Sequence, residues 1–138
     1  MPASTAARLF DSGRVPALDR ALDVDAATGR IAAAGLPKPR HLVTSTDVKH
    51  GKPDPEPYLK GAEFIGVPAS DCIVIEDAPA GIRAGKAAGA RVIALRTTAT
   101  DDELQEAGSD WIVDDCAALF LDSASADQDF LLLGRRTK

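Results

Sequence analysis

Aromatic side chains are scarce. The 138 residues hold four Phe, one Tyr and one Trp, about 4% in all. Sheets with bulky faces are therefore disfavoured, and the abundant alanine and glycine favour closely packed helices. Cysteine is nearly missing too. Cys72 and Cys116 stand far apart, which excludes a short-spaced zinc signature and a disulfide framework. Cys72 lies in an apolar run and reads as a small core residue. A reducing, cytoplasmic setting is expected. No apolar stretch reaches the roughly 18 residues that a membrane helix needs, and MPASTAARLF lacks the apolar centre of a signal peptide. Neither a membrane nor a nucleic acid is an expected partner. The net charge is −5, and no basic block exists to neutralise phosphates along a strand.

What is present is enough for one core. Hydrophobic residues make up 45% of the chain, which argues against disorder of the whole, and the length suits a single domain. Residues 1–34 form an atypical N-terminal segment, in which Ala17–Leu22 has the pattern of a short amphipathic helix. From residue 35 to residue 121 the texture is regular. Strands are expected at His41–Ser45, Cys72–Ile75, Arg91–Leu95 and Trp111–Val113, and the apolar run Cys72–Ile75 suits a strand covered on both faces. Between them come three helices. The first is capped by Asp54, with Tyr58, Leu59, Ala62 and Ile65 on one face, and ends at Gly66. The second is Pro79–Ala88, closed by Gly89. The third is Asp101–Ala107, stopped by Gly108. A last helical turn or two is expected at Cys116–Leu121. The tail 122–138 is either a loose end or pairs through Phe130–Leu133 along a sheet edge. Strands alternating with helices predict an α/β fold, a Rossmann-like parallel sheet flanked by helices.

Chemistry concentrates in two places. Glu76 and Asp77 directly follow an apolar strand, and ligands of open parallel sheets bind beyond the carboxyl ends of strands. Two adjacent acids there call for a compensating cation or basic group. Magnesium is one candidate, since it prefers carboxylate and water oxygens; the alternative is that Asp77 caps the helix beginning near Pro79. Lys52, in the loop GKPDP, is either a solvated lysine or a group that neutralises a phosphate. His41, His50, Trp111 and the basic tail Arg135, Arg136 and Lys138 carry no specific signal.

Together, KHGKPDPEPYLKGAEFIGV and CIVIEDAPAGIRAGKAAGARVIAL resemble the haloacid dehalogenase-like hydrolases, in the branch of sugar- and polyol-phosphate phosphatases and β-phosphoglucomutase-like proteins. The resemblance spans roughly Gly35 to Leu121, including the lead-in AAGLPKPRHLVTSTDV. It implies Mg2+-dependent hydrolysis of a small phosphorylated substrate. Lys52 matches the lysine that holds the phosphate and the nucleophile. Glu76 and Asp77 match the magnesium acids, with Asp77 the direct ligand. Pro53, Asp54 and Gly81 match structural positions.

Other family features are not matched. The nucleophile motif, a strand ending in Asp-x-Asp-Gly-Thr, is absent in its usual form. Asp23-Val24-Asp25-Ala26-Ala27-Thr28 imitates it and makes Asp23 the candidate nucleophile, but a helical pattern precedes it and Ala26 replaces the glycine. No strand for the second, phosphate-binding motif is expected near Asp19–Leu22, and there is no room for a cap domain. The family core is thus expected to be incomplete. Its acid-pair strand would lack a neighbour, to be replaced by the N-terminal residues, by Phe130–Leu133 or by a second copy in a homo-oligomer. A shortened or internally deleted phosphatase, weakly active or inactive alone, is the first expectation. A non-catalytic domain that binds phosphate and magnesium, or another chain, is the alternative.

Overall fold

The computed structural model describes residues 17–19, 32–35, 41–122 and 130–133. Strands β1 (Ala17–Asp19) and β2 (His41–Val43) pair in parallel. Helix α1 (Glu56–Ile65) follows and packs against both. Then come β3 (Ile73–Glu76), helix α2 (Pro79–Ala87), β4 (Arg91–Leu95), helix α3 (Asp101–Glu106) and β5 (Trp111–Val113). These three strands form a parallel sheet in the order β3-β4-β5, with Glu76 opposite Ala94 and Leu95 opposite Val113. Strands β6 (Leu119–Asp122) and β7 (Phe130–Leu133) make an antiparallel pair. The α/β architecture with a parallel, helix-flanked sheet is as expected.

Local chemistry explains the helix ends. Pro57 sits in the first turn of α1, where its missing N–H costs nothing. Asp54 accepts from the Glu56 amide at 2.9 Å, one residue ahead of the nominal cap Pro55. Gly66 closes α1 at φ +69°, a left-handed conformation that glycine adopts without strain. Thr100 and Glu103 form a reciprocal capping box at the start of α3.

The core lies between α2, α3 and the three-stranded sheet. Val74, Ile82, Ala90, Val92, Ala94, Leu104 and Ala107 are buried together. Ile82 and Leu104 are fully enclosed, and each contributes about 2 kcal/mol of transfer free energy. Gly85 lets α2 lie close on the sheet, because a Cβ there would come within 2.9 Å of Val92 Cγ2 and 3.2 Å of Val74 Cγ1.

Several expectations are corrected. Ala17–Asp19 is a strand and not the start of a helix, so a strand does stand next to β2 where none was expected. The third sheet strand runs Ile73–Glu76, one residue later than expected, and it is not covered on both faces, because Ile73 is 43% exposed. Cys72 is only partly buried, and its thiol donates to the Pro68 carbonyl. Leu59 faces outward from α1. The helix expected over Cys116–Leu121 is limited to a 3-10 turn at Cys116–Ala118, and Leu119 begins β6. Phe130–Leu133 pairs with β6 and not with β3. Among the described residues β3 therefore pairs only with β4.

Candidate active site at the carboxyl end of the parallel sheet

The site begins with the loop after β2. Thr44 is buried, and its amide and hydroxyl both donate to Asp47 Oδ2, at 2.7 and 3.0 Å. Next the chain wraps around the Glu56 carboxylate, which accepts the amides of Lys49 at 2.7 Å and His50 at 2.9 Å and meets His50 Nδ1 at 3.0 Å. The Lys49 amide above all holds the Glu56 carboxyl below its usual range. A turn from Gly51 to Asp54 follows, with a cis Lys52–Pro53 bond. This folding directs Lys52 across to the end of β3.

There Lys52 Nζ meets Glu76 Oε1 at 2.5 Å, although the two residues are 24 positions apart. The Tyr58 hydroxyl, brought from α1, donates to the same oxygen at 2.6 Å. The Lys52 ammonium also lies 5.2 Å from the centre of the Tyr58 ring, within cation–π range. On the other side, Glu76 Oε2 accepts the amides of Asp77 at 3.1 Å and Ala78 at 3.3 Å. The carboxylate thus folds back over the start of α2, and Gly81 makes room for it. A Cβ at residue 81 would collide with the Glu76 carboxyl group. Burial pushes the Glu76 carboxyl up, but the hydrogen bonds from Lys52 and Tyr58 outweigh it and hold the group below its ordinary range. The compensating group that the acid pair requires is, for Glu76, Lys52.

Asp77 takes a different path. Helix α2 starts behind Ala78 without a side-chain cap, so Asp77 is not its capping residue. Its Oδ2 accepts instead from the Thr97 hydroxyl at 3.1 Å, and its carbonyl accepts from the Thr98 hydroxyl at 3.4 Å. Cys116 is near enough that Asp77 adds to the upward push on its thiol, behind burial and Asp115.

The structure thus unites Lys52, Glu76 and Asp77 at one end of β3. Asp23 lies outside the described residues. Tyr58 reads in sequence as a core position, and its second function shows only once a phenol on α1 faces a buried carboxylate. Thr97 and Thr98 carry only a weak signal, two hydroxyls one residue beyond an apolar strand. His50, Asp54 and Glu56 also hold ligand-type atoms within 4.8 Å of one another, but the Glu56 oxygens are already engaged by the loop.

A donor set for magnesium can be read from these contacts. Both Glu76 oxygens are taken by protein donors, whereas among the described residues the hydrogen bond to the Asp77 carboxylate falls on Oδ2. One hard carboxylate oxygen, completed by water and phosphate oxygens, is the kind of ligand set magnesium uses. The residues fit that ion.

Known proteins match this region. The haloacid dehalogenase-like hydrolase family model matches residues 23–89. The chain is 43% identical over 102 residues to glycerol-1-phosphate phosphohydrolase 2 of Saccharomyces cerevisiae, covering 69% of this chain and 41% of that protein. It is 48% identical over 80 residues to hexitol phosphatase A of Escherichia coli, covering 58% of this chain and 37% of that protein. Among solved structures, a HAD family hydrolase from Deinococcus radiodurans with bound phosphate and sodium superposes with TM-score 0.73 at 26% identity, over 81% of this chain and 53% of the other. A Thermotoga maritima protein provisionally named a β-phosphoglucomutase gives 0.66 at 29% identity, over 79% and 52%. The chain spans about two-fifths of the length of the curated relatives it matches. Over these residues it is similar to the haloacid dehalogenase-like hydrolases, and among them to sugar- and polyol-phosphate phosphatases and β-phosphoglucomutase-like proteins.

Proposed function

We propose that this site takes part in magnesium-dependent hydrolysis of small phosphate monoesters, sugar or polyol phosphates, in the cytoplasm. The observation that carries the reading is the convergence of Lys52, Tyr58 and Glu76 beside Asp77 at the end of β3. Lys52 is the phosphate-binding cation, a compact point charge with three rotatable donors. Glu76 and Tyr58 hold it in place. Asp77 would hold the metal, and Glu76, whose oxygens are taken by Lys52, Tyr58 and two amides, would support the site. Bound magnesium would offset charge on the phosphoryl oxygens.

The reaction also needs an attacking carboxylate. Asp23 is the candidate. Its oxygen would bond to phosphorus as the ester P–O bond breaks, and the departing alkoxide would take a proton from solvent. Water would then cleave the acyl phosphate, releasing inorganic phosphate and restoring the carboxylate. Lysine and metal alone cannot replace that group, so activity of the 138-residue chain is expected to be weak.

Magnesium-dependent release of phosphate from an aryl phosphate and a panel of hexitol and glycerol phosphates tests the reading. Turnover lost in both Lys52→Ala and Asp23→Asn supports it. Turnover indifferent to Lys52→Ala overturns it. Phosphate binding that depends on Lys52, without turnover, leaves a binding domain built on the same site.

A further inference from the structure

The stretch between β4 and α3 is anchored at both ends. The Arg96 amide donates to the Val113 carbonyl at 3.0 Å. Its guanidinium grips Asp101 with Nε at 2.7 Å and Nη2 at 3.1 Å, and reaches Asp114 with Nη1 at 2.9 Å. At the other end, the Thr100 hydroxyl and amide close the capping box on Glu103. Between these anchors, consecutive hydroxyls land on one residue: Thr97 on the Asp77 carboxylate and Thr98 on the Asp77 carbonyl. Both threonines are exposed, so burial of their methyl groups does not account for the arrangement. A loop clamped at each end holds two donors against the main chain and the side chain of one aspartate.

From this we infer that Thr97 is a positioning residue that sets which oxygen Asp77 presents and thereby favours magnesium over calcium. The inference rests on the reading of Asp77 as a metal ligand. The Thr97 hydroxyl engages Oδ2, so among the described residues Oδ1 is the oxygen that the carboxylate presents without a protein donor. A small ion that keeps most of its water is served by one carboxylate oxygen, whereas calcium gains from a carboxylate that can supply both. Thr98 holds the Asp77 main chain, so the side chain is aimed from a fixed base.

Manganese binding to the purified chain, followed by electron paramagnetic resonance with inorganic phosphate present, reads this without any need for turnover. Displacement by magnesium and by calcium gives the preference. Thr97→Val is expected to weaken manganese and magnesium binding about tenfold, the usual loss when a ligand's hydrogen-bond partner is removed, and to narrow the preference for magnesium over calcium. Thr97→Ser, which keeps the hydroxyl, restores both. Thr97→Val binding like the parent chain, while Asp77→Asn abolishes binding, overturns the inference and leaves the metal reading intact. Failure of Thr97→Ser to restore binding also overturns it, since the hydroxyl would then not be the cause. A parent chain that binds no manganese, or Asp77→Asn that binds as the parent does, removes the metal reading and the inference with it.

Discussion

At the scale of single residues, Glu76 organises the site. Its carboxylate accepts from one ammonium, one phenol and two amides, and its side chain is only 9% exposed. Removing a partner therefore strands a buried charge. Lys52→Ala is expected to cost about 2 kcal/mol, less than a fully buried pair because Lys52 keeps some exposure. Tyr58→Phe is expected to cost about 1 kcal/mol, the worth of one hydrogen bond. Urea midpoints should rank the two in that order, and the reverse order would assign the holding of Glu76 to the phenol. Asp110 shows a different use of a carboxylate. It binds Lys86 of α2 at 2.9 Å and the Val92 amide of β4 at 2.7 Å. Burial pushes its carboxyl up, but Lys86 and the Val92 amide bring it below its ordinary value of 3.8. A lowered folded value means that the stabilisation is complete above 3.8 and fades as the pH falls through that lowered value. Asp110→Asn should therefore flatten the acid side of the stability profile and change little of its shape near neutrality. An unchanged acid slope would show that Asp110 is not among the groups that set it.

At the scale of elements, α2 is placed by the glycines that it carries on its buried side. Gly81 lies under the Glu76 carboxyl and Gly85 against Val74 and Val92. Gly85→Ala should lower stability by about 1–3 kcal/mol through overpacking, with Lys52-dependent phosphate binding retained. Gly81→Ala should displace Glu76 and weaken phosphate binding by much more than its effect on the urea midpoint implies. Equal losses of binding in the two variants would argue against a separate duty for Gly81. Much of this layout is legible in the sequence. The runs Arg91–Leu95 and Trp111–Val113 become β4 and β5 as read, because β-branched runs bounded by Gly89 and Gly108 leave little choice. Where pairing overrides local pattern, it is not legible. Ala17–Asp19 has helical periodicity, yet parallel pairing with β2 and contact with α1 make it a strand. Leu119–Leu121 is an apolar run too short for periodicity to separate helix from strand. Lys52 and the acid pair are recognisable as motifs, whereas Tyr58, Thr97 and Thr98 act through contacts that no local pattern encodes.

At the scale of the molecule, the described strands do not form one continuous sheet. They fall into a parallel pair, a parallel triplet and an antiparallel pair. Among the described residues, the outer edge of β3 carries no partner strand, and Ile73 on it is 43% exposed. A strand edge without a partner invites another strand, and we propose a second copy of the chain as the occupant to test. Sedimentation velocity should show the average mass rising with concentration, and Ile73→Lys should suppress the rise. A single monomeric species at every concentration would rule out that pairing.

Lys52 stands on the loop leaving β2, Tyr58 on α1, and Glu76 on β3. The ion pair therefore works as a bolt between the half built on β1 and β2 and the half built on β3 to β5. An anion that draws the ammonium away from Glu76 pulls on that bolt. Occupancy of the site and the strength of that tie are therefore expected to be coupled, so that a ligand held by Lys52 would be felt on both sides of it.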